Sequence, residues 1–234
     1  MAERVALIIP ALNEEQTIAA ALDGLAGQNL AQVVVVDNGS SDRTAEVARK
    51  RGALVVREPR RGYGQACLAG IAVLDPDTSI VVFMDADGSD DPADLERLLE
   101  PIQRGEADFV IGSRVLGERE RDSLSRQQRF GNWLASLLLR VLYGAHYSDL
   151  GPFRAIRRDA LERLSMHDSN FGWTVEMQIK ARKHGLRVRE VPVRYRRRRG
   201  GKSKVSGSVR GSILAGAKIL WTILRYRFSG RLAG

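Results

Sequence analysis

Two carboxylates separated by one residue follow a buried apolar run in this sequence. Asp85 and Asp87 come directly after Ile80–Met84, whose apolar side chains predict a buried strand. Beyond the end of a strand the side chains no longer alternate, so both carboxylates can converge on one divalent cation. Such oxygen ligands suit Mg²⁺ or Mn²⁺, which also bind phosphate oxygens and can neutralise a diphosphate leaving group. Asp-x-Asp is common in solvated turns, but its position after this strand favours a metal site.

A second candidate is Asp37, which closes the all-valine run Val33–Val36. Its carboxylate can accept hydrogen bonds from a ribose or a base edge, or it can start a turn by bonding its own backbone, and both interpretations stay open. Gly62-x-Gly64 lacks the third glycine of a dinucleotide fingerprint, because Cys67 stands there. The sequence also has no P-loop motif and no Gly-x-Ser-x-Gly motif.

Alternating strands and helices must position these residues in the first half of the chain. Apolar runs predict strands at Val5–Ile9, Val33–Val36, Leu54–Val56 and Ile80–Met84, with helices between them. This order predicts βαβ units and a mainly parallel sheet, and the unbroken apolar strands indicate that both faces are covered. Ligands bind such sheets beyond the carboxyl ends of the strands, where Asn13-Glu14, Asp37-Asn38 and Asp85–Asp87 fall.

The second half has fewer strands. We expect a strand at Phe109–Gly112, a helix from about Phe130 to Tyr143, helical structure over 160–185 and a strand at Val188–Tyr195. The last segment, from about Ser208 to Arg227, combines apolar residues with flanking Lys and Arg side chains and a Trp. That pattern is typical of an interfacial amphipathic helix, although a helix docked on the protein's own core would show it too. We therefore divide the chain into a catalytic domain, 1–207, and a C-terminal amphipathic segment, 208–234.

Composition limits the class of protein. The chain has 234 residues, of which 44% are hydrophobic, enough for one sizeable domain and an appendage. A single cysteine excludes an internal disulfide framework, and three scattered histidines argue against a His-built metal centre. No signal peptide is visible, and no uncharged apolar stretch reaches the roughly 18 residues that span a bilayer. We expect a cytoplasmic protein.

Charge is distributed unevenly along the chain. Residues 180–234 hold 17 Lys and Arg against one acid, whereas residues 1–179 hold 20 against 27 Asp and Glu. A basic C-terminal quarter on an acidic body predicts an anionic partner such as nucleic acid, a phosphate or anionic lipid. The run Arg196–Arg199, beside Gly200 and Gly201, is the densest part of this charge, and a merely solvated face is the alternative.

Several motifs together resemble the family 2 glycosyltransferases, which have the GT-A fold. In the first half these are VALIIPALNE at 5–14, VVVVDNGSSDRT at 33–44, FMDADG at 83–88 and IGSR at 111–114. In the second half they are RFGN at 129–132, SDLGPFR at 148–154, VEM at 175–177, EVP at 190–192 and the RxxGxSK run at 198–204. This order is similar to that of dolichyl-phosphate mannose synthases and related polyprenyl-phosphate hexose synthases, over nearly all of residues 4–210.

The resemblance implies a GT-A, Rossmann-like α/β fold with a mixed, mainly parallel sheet flanked by helices. It also implies transfer of a hexose, with inversion, from a GDP-mannose or UDP-glucose type of donor to a polyprenyl or dolichyl monophosphate, with Mg²⁺ or Mn²⁺. By position, the nucleoside would contact Pro10, Leu12, Glu14, Val36 and Asp37. The metal and diphosphate would be held by Asp85, Ala86, Asp87 and Ser89, with Asp85, Asp87 and Ser89 nearest the metal. Arg114 and Arg129 match arginines near the phosphates, and Arg198 and Lys204 match a loop that closes over the nucleotide.

Catalytic roles are expected for Asp87, Arg114, Arg129 and Asp149. A phosphate acceptor needs cations to position it, whereas a hydroxyl acceptor would require a carboxylate base, for which Asp149 or Glu176 are candidates. Transfer to a sugar or lipid hydroxyl therefore stays open as the alternative. A nucleic-acid-binding module is disfavoured, because Tyr195 is the only aromatic residue near the basic run and the acidic site would be unexplained.

In this interpretation the basic C-terminal quarter contributes to membrane binding. Lys and Arg close to an anionic bilayer contribute about 1 kcal/mol each to binding. Together with the amphipathic C-terminal segment, they predict a peripheral protein at the inner face of the cell membrane. A separate membrane-anchoring partner protein is compatible with this expectation.

Overall fold

The sheet that the apolar runs predict is present, and it has seven strands within the part of the chain that the structure describes. The structure is a computed structural model, and it describes residues 3–200 and 209–228. The strands are β1 (Val5–Ala11), β2 (Gln32–Asp37), β3 (Leu54–Arg57), β4 (Ile80–Phe83), β5 (Phe109–Ser113), β6 (Arg154–Arg157) and β7 (Val188–Pro192). The helices are α1 (Ile18–Asp23), α2 (Thr44–Lys50), α3 (Tyr63–Ile71), α4 (Leu95–Gln103), α5 (Arg126–Tyr143), α6 (Arg158–Leu164), α7 (Trp173–Lys183) and α8 (Val209–Phe228).

The sheet is mixed and mainly parallel, as predicted. Its strand order is β3-β2-β1-β4-β6-β5-β7, and β1 lies between β2 and β4 with both neighbours parallel to it. Strand β6 runs antiparallel to both β4 and β5. This strand was not predicted, because Arg154 and Arg157 interrupt any apolar run. The carboxyl ends of β1, β2 and β4 meet at one edge of the sheet.

Helices cover both faces of the sheet. Leu7 and Ile9 belong to a core formed with α1 and α4, whereas Ile8 and Val34 belong to a second core formed with α3 and α7. All four side chains are fully buried, and burying each of them contributes about 1.5–3 kcal/mol. The alternation of side chains along each strand therefore divides the apolar residues between two cores and fixes the register.

A third apolar cluster joins α8 to the rest of the molecule. It includes Leu139 of α5, Ile179 of α7 and Ile223 of α8. The Tyr143 hydroxyl donates to the Ile223 carbonyl oxygen at 2.5 Å, which fixes α8 along α5. The inner face of the predicted amphipathic helix thus docks on the protein's own core.

Three predicted boundaries in the second half are wrong. Helix α5 begins at Arg126 and not at about Phe130, because Ser125 and Gln128 form a capping box before it. The helical stretch predicted over 160–185 is two helices, because Ser165 adopts a left-handed conformation with φ of 45° and ends α6. Asp168 then accepts hydrogen bonds from the backbone of Asn170 and Gly172, which organises the turn before α7. The last strand ends at Pro192 and not at Tyr195, which makes only isolated bridges to Asp90 and Arg119.

Candidate active site

A cavity of about 1130 Å³ opens at the carboxyl ends of β1, β2 and β4 and extends between α5 and α8. We call its charged part the polar end, and it is lined by Glu14, Asp85, Asp87, Arg114 and Arg198. We call the part between the two helices the apolar arm, and it is lined by Phe130, Gly131 and Leu134 of α5 and by Ile213, Gly216, Ala217, Ile219 and Leu220 of α8. One continuous cavity therefore presents both ionic and apolar surfaces.

The loops after β1 and β2 are locked together. The Glu14 backbone N–H donates to Thr44 Oγ1 at 2.7 Å, and Asn13 Oδ1 accepts from the Ser41 backbone N–H at 2.8 Å. Asn13 adopts φ of 54°, a left-handed conformation that asparagine tolerates better than most residues. These bonds hold Glu14 at the cavity wall, where Pro10 and Leu12 also lie.

Asn38 lines the cavity and anchors a third loop to this edge. Its Nδ2 donates to the Arg60 carbonyl oxygen at 2.8 Å, and its Oδ1 accepts from the Gly62 backbone N–H at 2.8 Å. A β-carbon at Gly62 or Gly64 would overlap a backbone carbonyl oxygen of residues 168–169. The two glycines therefore permit close packing of backbone, and they are not part of a dinucleotide fingerprint.

Asp37 makes the turn contact that was one of its two interpretations. Its Oδ1 accepts from the Ser40 backbone N–H at 2.9 Å. Asp37 and Val36 are both buried beneath the cavity and do not line it. A contact of either residue with a nucleoside stays a prediction.

Asp85 lies at the base of the polar end. Its backbone N–H donates to Asp90 Oδ2 at 3.1 Å, and the Tyr63 side chain lies close to its carboxylate. Burial, reinforced by the nearby Asp87 carboxylate, raises the pKa of Asp85 to about 7. The sequence does not predict a role for Tyr63 in the site, because Asp85 is distant from it along the chain.

Asp87 connects the metal-type motif to the basic run. Its Oδ1 accepts from the Ser89 backbone N–H at 2.9 Å and from the Ser89 hydroxyl, and its Oδ2 accepts from Arg198 at 3.1 Å. The other terminal nitrogen of Arg198 donates to both oxygens of Glu14. One guanidinium therefore bridges two of the carboxylates at the polar end.

The donor set at this end fits a divalent cation that keeps other ligands. Asp85 and Asp87 offer carboxylate oxygens and Ser89 a hydroxyl, which is the oxygen chemistry that Mg²⁺ and Mn²⁺ prefer. Within residues 3–200 and 209–228, no cluster of three or more His, Cys, Asp and Glu side chains forms a complete cage. A cation here would therefore need water or phosphate oxygens to complete its shell, and it would compete with Arg198 for Asp87.

Arg114 follows β5 and is fixed by a fully buried carboxylate. Its Nε and one terminal nitrogen donate to the two oxygens of Asp149 at 2.8 and 2.7 Å, and its backbone N–H donates to the same carboxylate at 2.8 Å. The guanidinium also lies 5.1 Å from the centroid of the Tyr195 ring. Asp149 does not line the cavity, so it contacts the site through Arg114.

Residues missed in the sequence hold the loop that carries Asp149. Glu190 of β7 accepts hydrogen bonds from the backbone N–H groups of Ser148 and Asp149 at 2.9 and 3.2 Å. The fully buried Arg154 donates to the carbonyl oxygens of Leu150 and Gly151. Burial lowers the pKa of Arg154 to about 10. Glu190 is distant from Ser148 along the chain, and Arg154 lies in a strand that the apolar pattern does not predict.

Several predicted site residues do not line the cavity: Val36, Asp37, Ser89, Arg129 and Asp149. Arg129 is exposed on α5 and does not line the cavity, and Lys204 lies outside the described residues. Two neighbours of Arg198 in the basic run are paired with acids: Arg196 binds Asp91 at 2.6 Å and Arg197 binds Asp122 at 3.1 Å.

Glu176 is a structural residue in this fold. It is fully buried, and it pairs with Lys180 at 3.0 Å and accepts from the Tyr226 hydroxyl at 2.6 Å. The Asp168 backbone N–H donates to it at 2.8 Å. Glu176 thus holds α8 and the turn before α7 together, away from the cavity surface.

Many large apolar side chains of α5 and α8 face solvent. We call them the outer apolar residues: Trp133, Leu137 and Val141 of α5, and Leu214, Trp221, Leu224 and Phe228 of α8. Phe130 and Ile213, which line the apolar arm, are exposed as well. Trp133 is 57% exposed and Trp221 60% exposed. Exposed arginines lie on the same two helices, among them Arg126, Arg140 and Arg225. In the described parts of the chain no helix is both long enough and apolar enough to cross a membrane.

Comparison with known sequences identifies relatives over most of the chain. The model of the family described as glycosyl transferase family 2 matches residues 6–165. An uncharacterised glycosyltransferase of Mycobacterium tuberculosis is 43% identical over 216 residues, which cover 91% of this chain and 94% of the relative. An undecaprenyl-phosphate mannosyltransferase of Micrococcus luteus is 32% identical, covering 96% and 98%. A dolichyl-phosphate hexose transferase of Haloferax volcanii is 36% identical, covering 84% of each chain.

Comparison with solved structures addresses the fold. Glucosyl-3-phosphoglycerate synthase of Mycobacterium tuberculosis, solved with Mn²⁺, UDP and glucosyl-3-phosphoglycerate, superposes with a TM-score of 0.77. The match covers 99% of this chain and 82% of that one at 23% sequence identity. At this identity the likeness concerns the fold alone.

Proposed function

The chain belongs to glycosyl transferase family 2 and has the GT-A fold expected from its motifs, and on that premise we propose that it transfers a hexose from a nucleotide sugar to a polyprenyl phosphate. The proposal rests on one observation above all: the polar end and the apolar arm belong to the same cavity. A nucleotide sugar and a lipid phosphate together require that combination. The relatives named for undecaprenyl-phosphate and dolichyl-phosphate substrates support the choice of acceptor.

The donor belongs at the polar end in this proposal. Pro10, Leu12 and Asn38 provide the wall for the nucleoside, with Asp85 and Asp87 below the diphosphate. A Mg²⁺ or Mn²⁺ ion held by these carboxylates would stabilise negative charge on the departing diphosphate.

The reaction is a displacement at the anomeric carbon. An oxygen of the acceptor phosphate supplies the electron pair of the new bond, and the bond to the donor diphosphate breaks with inversion as the nucleoside diphosphate leaves. Arg114 supplies a fixed positive charge for the acceptor phosphate or the diphosphate, because Asp149 holds its planar fork in one orientation.

A phosphate acceptor fits the carboxylates better than a hydroxyl acceptor does. A phosphate monoester is largely ionised near neutral pH, because its second pKa is about 6, so it needs no strong base. A hydroxyl needs one, yet both oxygens of Asp149 are bonded to Arg114, and Glu176 is buried against Lys180 and Tyr226. Neither candidate base lines the cavity.

The proposal includes a peripheral location at the inner face of the cell membrane. The outer apolar residues and the nearby arginines give α5 and α8 the character of interfacial helices. An acceptor lipid in that membrane could then enter the apolar arm without leaving the bilayer. In this proposal residues 208–234 serve as the interfacial segment and 1–207 as the catalytic domain.

Product analysis with a panel of acceptors tests the proposal. The purified protein is incubated with GDP-mannose or UDP-glucose, Mn²⁺ or Mg²⁺, and one of three acceptors: a polyprenyl phosphate, diacylglycerol or 3-phosphoglycerate. We expect a sugar-phosphate-lipid product from the polyprenyl phosphate alone, and no product in EDTA. A glycosylated diacylglycerol would favour the hydroxyl alternative, and glucosyl-3-phosphoglycerate would show that the apolar arm has another use.

A further inference from the structure

We infer that Gly131 and Gly216 determine which lipid chains the apolar arm accepts, by leaving room for the methyl branches of an isoprenoid. This inference rests on the proposed function and deepens it, because it assigns the recognition of the lipid chain to two residues. The occupant is the part of the chain that lies next to the acceptor phosphate.

The two helices present matched stripes to the cavity. Among the lining residues, the stripe on α5 is Gln127, Phe130, Gly131 and Leu134, and the stripe on α8 is Ile213, Gly216, Ala217 and Leu220. Gln128 and Asn132 line the cavity beside the first stripe, and Ala215 and Ile219 beside the second. Each stripe has the spacing i, i+3, i+4, i+7 of a single helix face. Each also has a glycine in its middle. The α8 stripe has a large apolar side chain at both ends, Ile213 and Leu220, whereas the α5 stripe has one at its C-terminal end, Leu134.

The middle of the arm is open because side chains are missing there. A β-carbon added at Gly131 or at Gly216 would meet no atom within 4 Å. Neither glycine is among those with positive φ, so the backbone accepts an ordinary residue at both positions. Glycine disfavours a helix interior relative to other residues. Helix geometry therefore does not explain either glycine, whereas the space they leave for a ligand does.

The chemistry of the opening indicates a branched apolar chain. Phe130, Leu134, Ile213 and Leu220 offer apolar surface on both sides of it. The arm is continuous with the polar end that contains Arg114, so an anionic headgroup there places its own tail between the helices. A chain with a methyl group on every isoprene unit needs more width than an unbranched alkyl chain does.

Leucine and alanine variants test the inference. Gly131→Leu and Gly216→Leu fill the opening, whereas Gly131→Ala and Gly216→Ala add one methyl group at the same positions. Each protein is assayed for kcat/KM with a long polyprenyl phosphate, an unbranched alkyl phosphate of matched length, and the phosphate of a single isoprene unit. Thermal unfolding is measured in parallel, and we expect no variant to have a lower Tm than the unmodified chain, because each residue favours a helix more than glycine does.

We expect either leucine to lower kcat/KM at least tenfold for the polyprenyl phosphate and for the single-isoprene phosphate, because both carry a methyl branch next to the phosphate. The loss should be smaller for the unbranched alkyl phosphate, and each alanine variant should change kcat/KM less than threefold. An equal loss for all three acceptors, or no loss, would overturn the inference. If the unmodified chain transfers sugar to none of the lipid phosphates, the proposed function fails first and the inference falls with it. Retained transfer with unaltered chain preference would refute the inference alone.

Discussion

The two ends of the cavity are built by opposite means. At the polar end nearly every charged side chain is engaged by another part of the protein, as in the Arg114–Asp149 pair and the Arg198 bridge between Glu14 and Asp87. At the apolar arm the walls are two helices whose stripes contain glycine and whose other faces expose large apolar side chains. Ion pairs and hydrogen bonds hold the polar end in one arrangement, whereas the absence of side chains at the two glycines leaves the apolar arm open.

This difference follows from what each end would bind. Charge that develops on a diphosphate is stabilised best by groups that are already oriented, because no free energy is then spent on reorganisation during the reaction. A lipid tail needs only width and apolar surface, which helices provide without hydrogen bonds. We therefore expect substitutions at the polar end to be costly in stability or rate, and those at the arm to change selectivity.

The largest effect is expected from Asp149→Ala, which removes the partner of a largely buried arginine. Breaking such a pair costs about 3–5 kcal/mol in the free energy of unfolding. Asp159→Ala is the matched control, because the Asp159–Arg157 pair is exposed and should cost less than about 1 kcal/mol. Urea denaturation measures both, and similar losses would contradict the claim that the polar end is preorganised.

Asp87→Asn is expected to lower kcat/KM for transfer by at least about 100-fold, because it removes charge where the diphosphate would leave. It should also abolish the metal-dependent rise in Tm that a nucleotide donor produces. Asp77→Asn provides the control, since that carboxylate is exposed and pairs only with Arg4 among the contacts described. Transfer by Asp87→Asn at the rate of the control would remove the Asp85–Asp87 motif from the mechanism.

The double substitution Trp133→Ser and Trp221→Ser tests whether α5 and α8 contact the membrane. Losing the insertion of one such side chain costs about 1.5–3 kcal/mol, so we expect at least a tenfold fall in partitioning to anionic vesicles. Leu54→Ser is the control, because Leu54 is exposed on the distant edge strand β3. Equal partitioning of all three proteins in vesicle sedimentation would show that these helices do not contact the membrane.

A pH-dependent change in stability is expected from the raised pKa of Asp85 in metal-free protein. Between the usual pKa of Asp, 3.8, and about 7, the folded state holds a proton that the unfolded state has lost. Stability should therefore fall as the pH rises from about 4 to about 7, by at most about 1.4 kcal/mol per pH unit, and then level off. Asp85→Asn should lack this slope in urea denaturation with EDTA. An identical slope in both proteins would contradict the assigned burial.

The parts of the site that lie at strand ends could be predicted from the sequence. A buried apolar run followed by a polar cluster places Glu14, Asp85 and Asp87 at one edge of a parallel sheet, and the structure has them lining one cavity. Asp37 shows the limit of that reasoning, because its carboxylate starts a turn and its side chain lies below the cavity surface.

The remaining contacts depend on long-range packing that local patterns do not encode. Glu190 reaches Ser148 only because β7 and the end of β5 lie side by side, and Arg154 is buried in a strand that its own charge concealed. The break at Ser165 likewise depends on contacts of the following turn with α7. Sequence patterns could therefore identify the polar residues, but not the partners that orient them.

Photocrosslinking tests the central claim, that one cavity holds the nucleotide at the polar end and the lipid between the helices. A polyprenyl phosphate with a diazirine on its first isoprene unit is irradiated with the protein, nucleotide and Mn²⁺, and labelled peptides are mapped. We predict labels on α5 and α8, near Gly131 and Gly216, that excess unlabelled polyprenyl phosphate removes. Competable labelling elsewhere in the chain, with none on these two helices, would contradict the account.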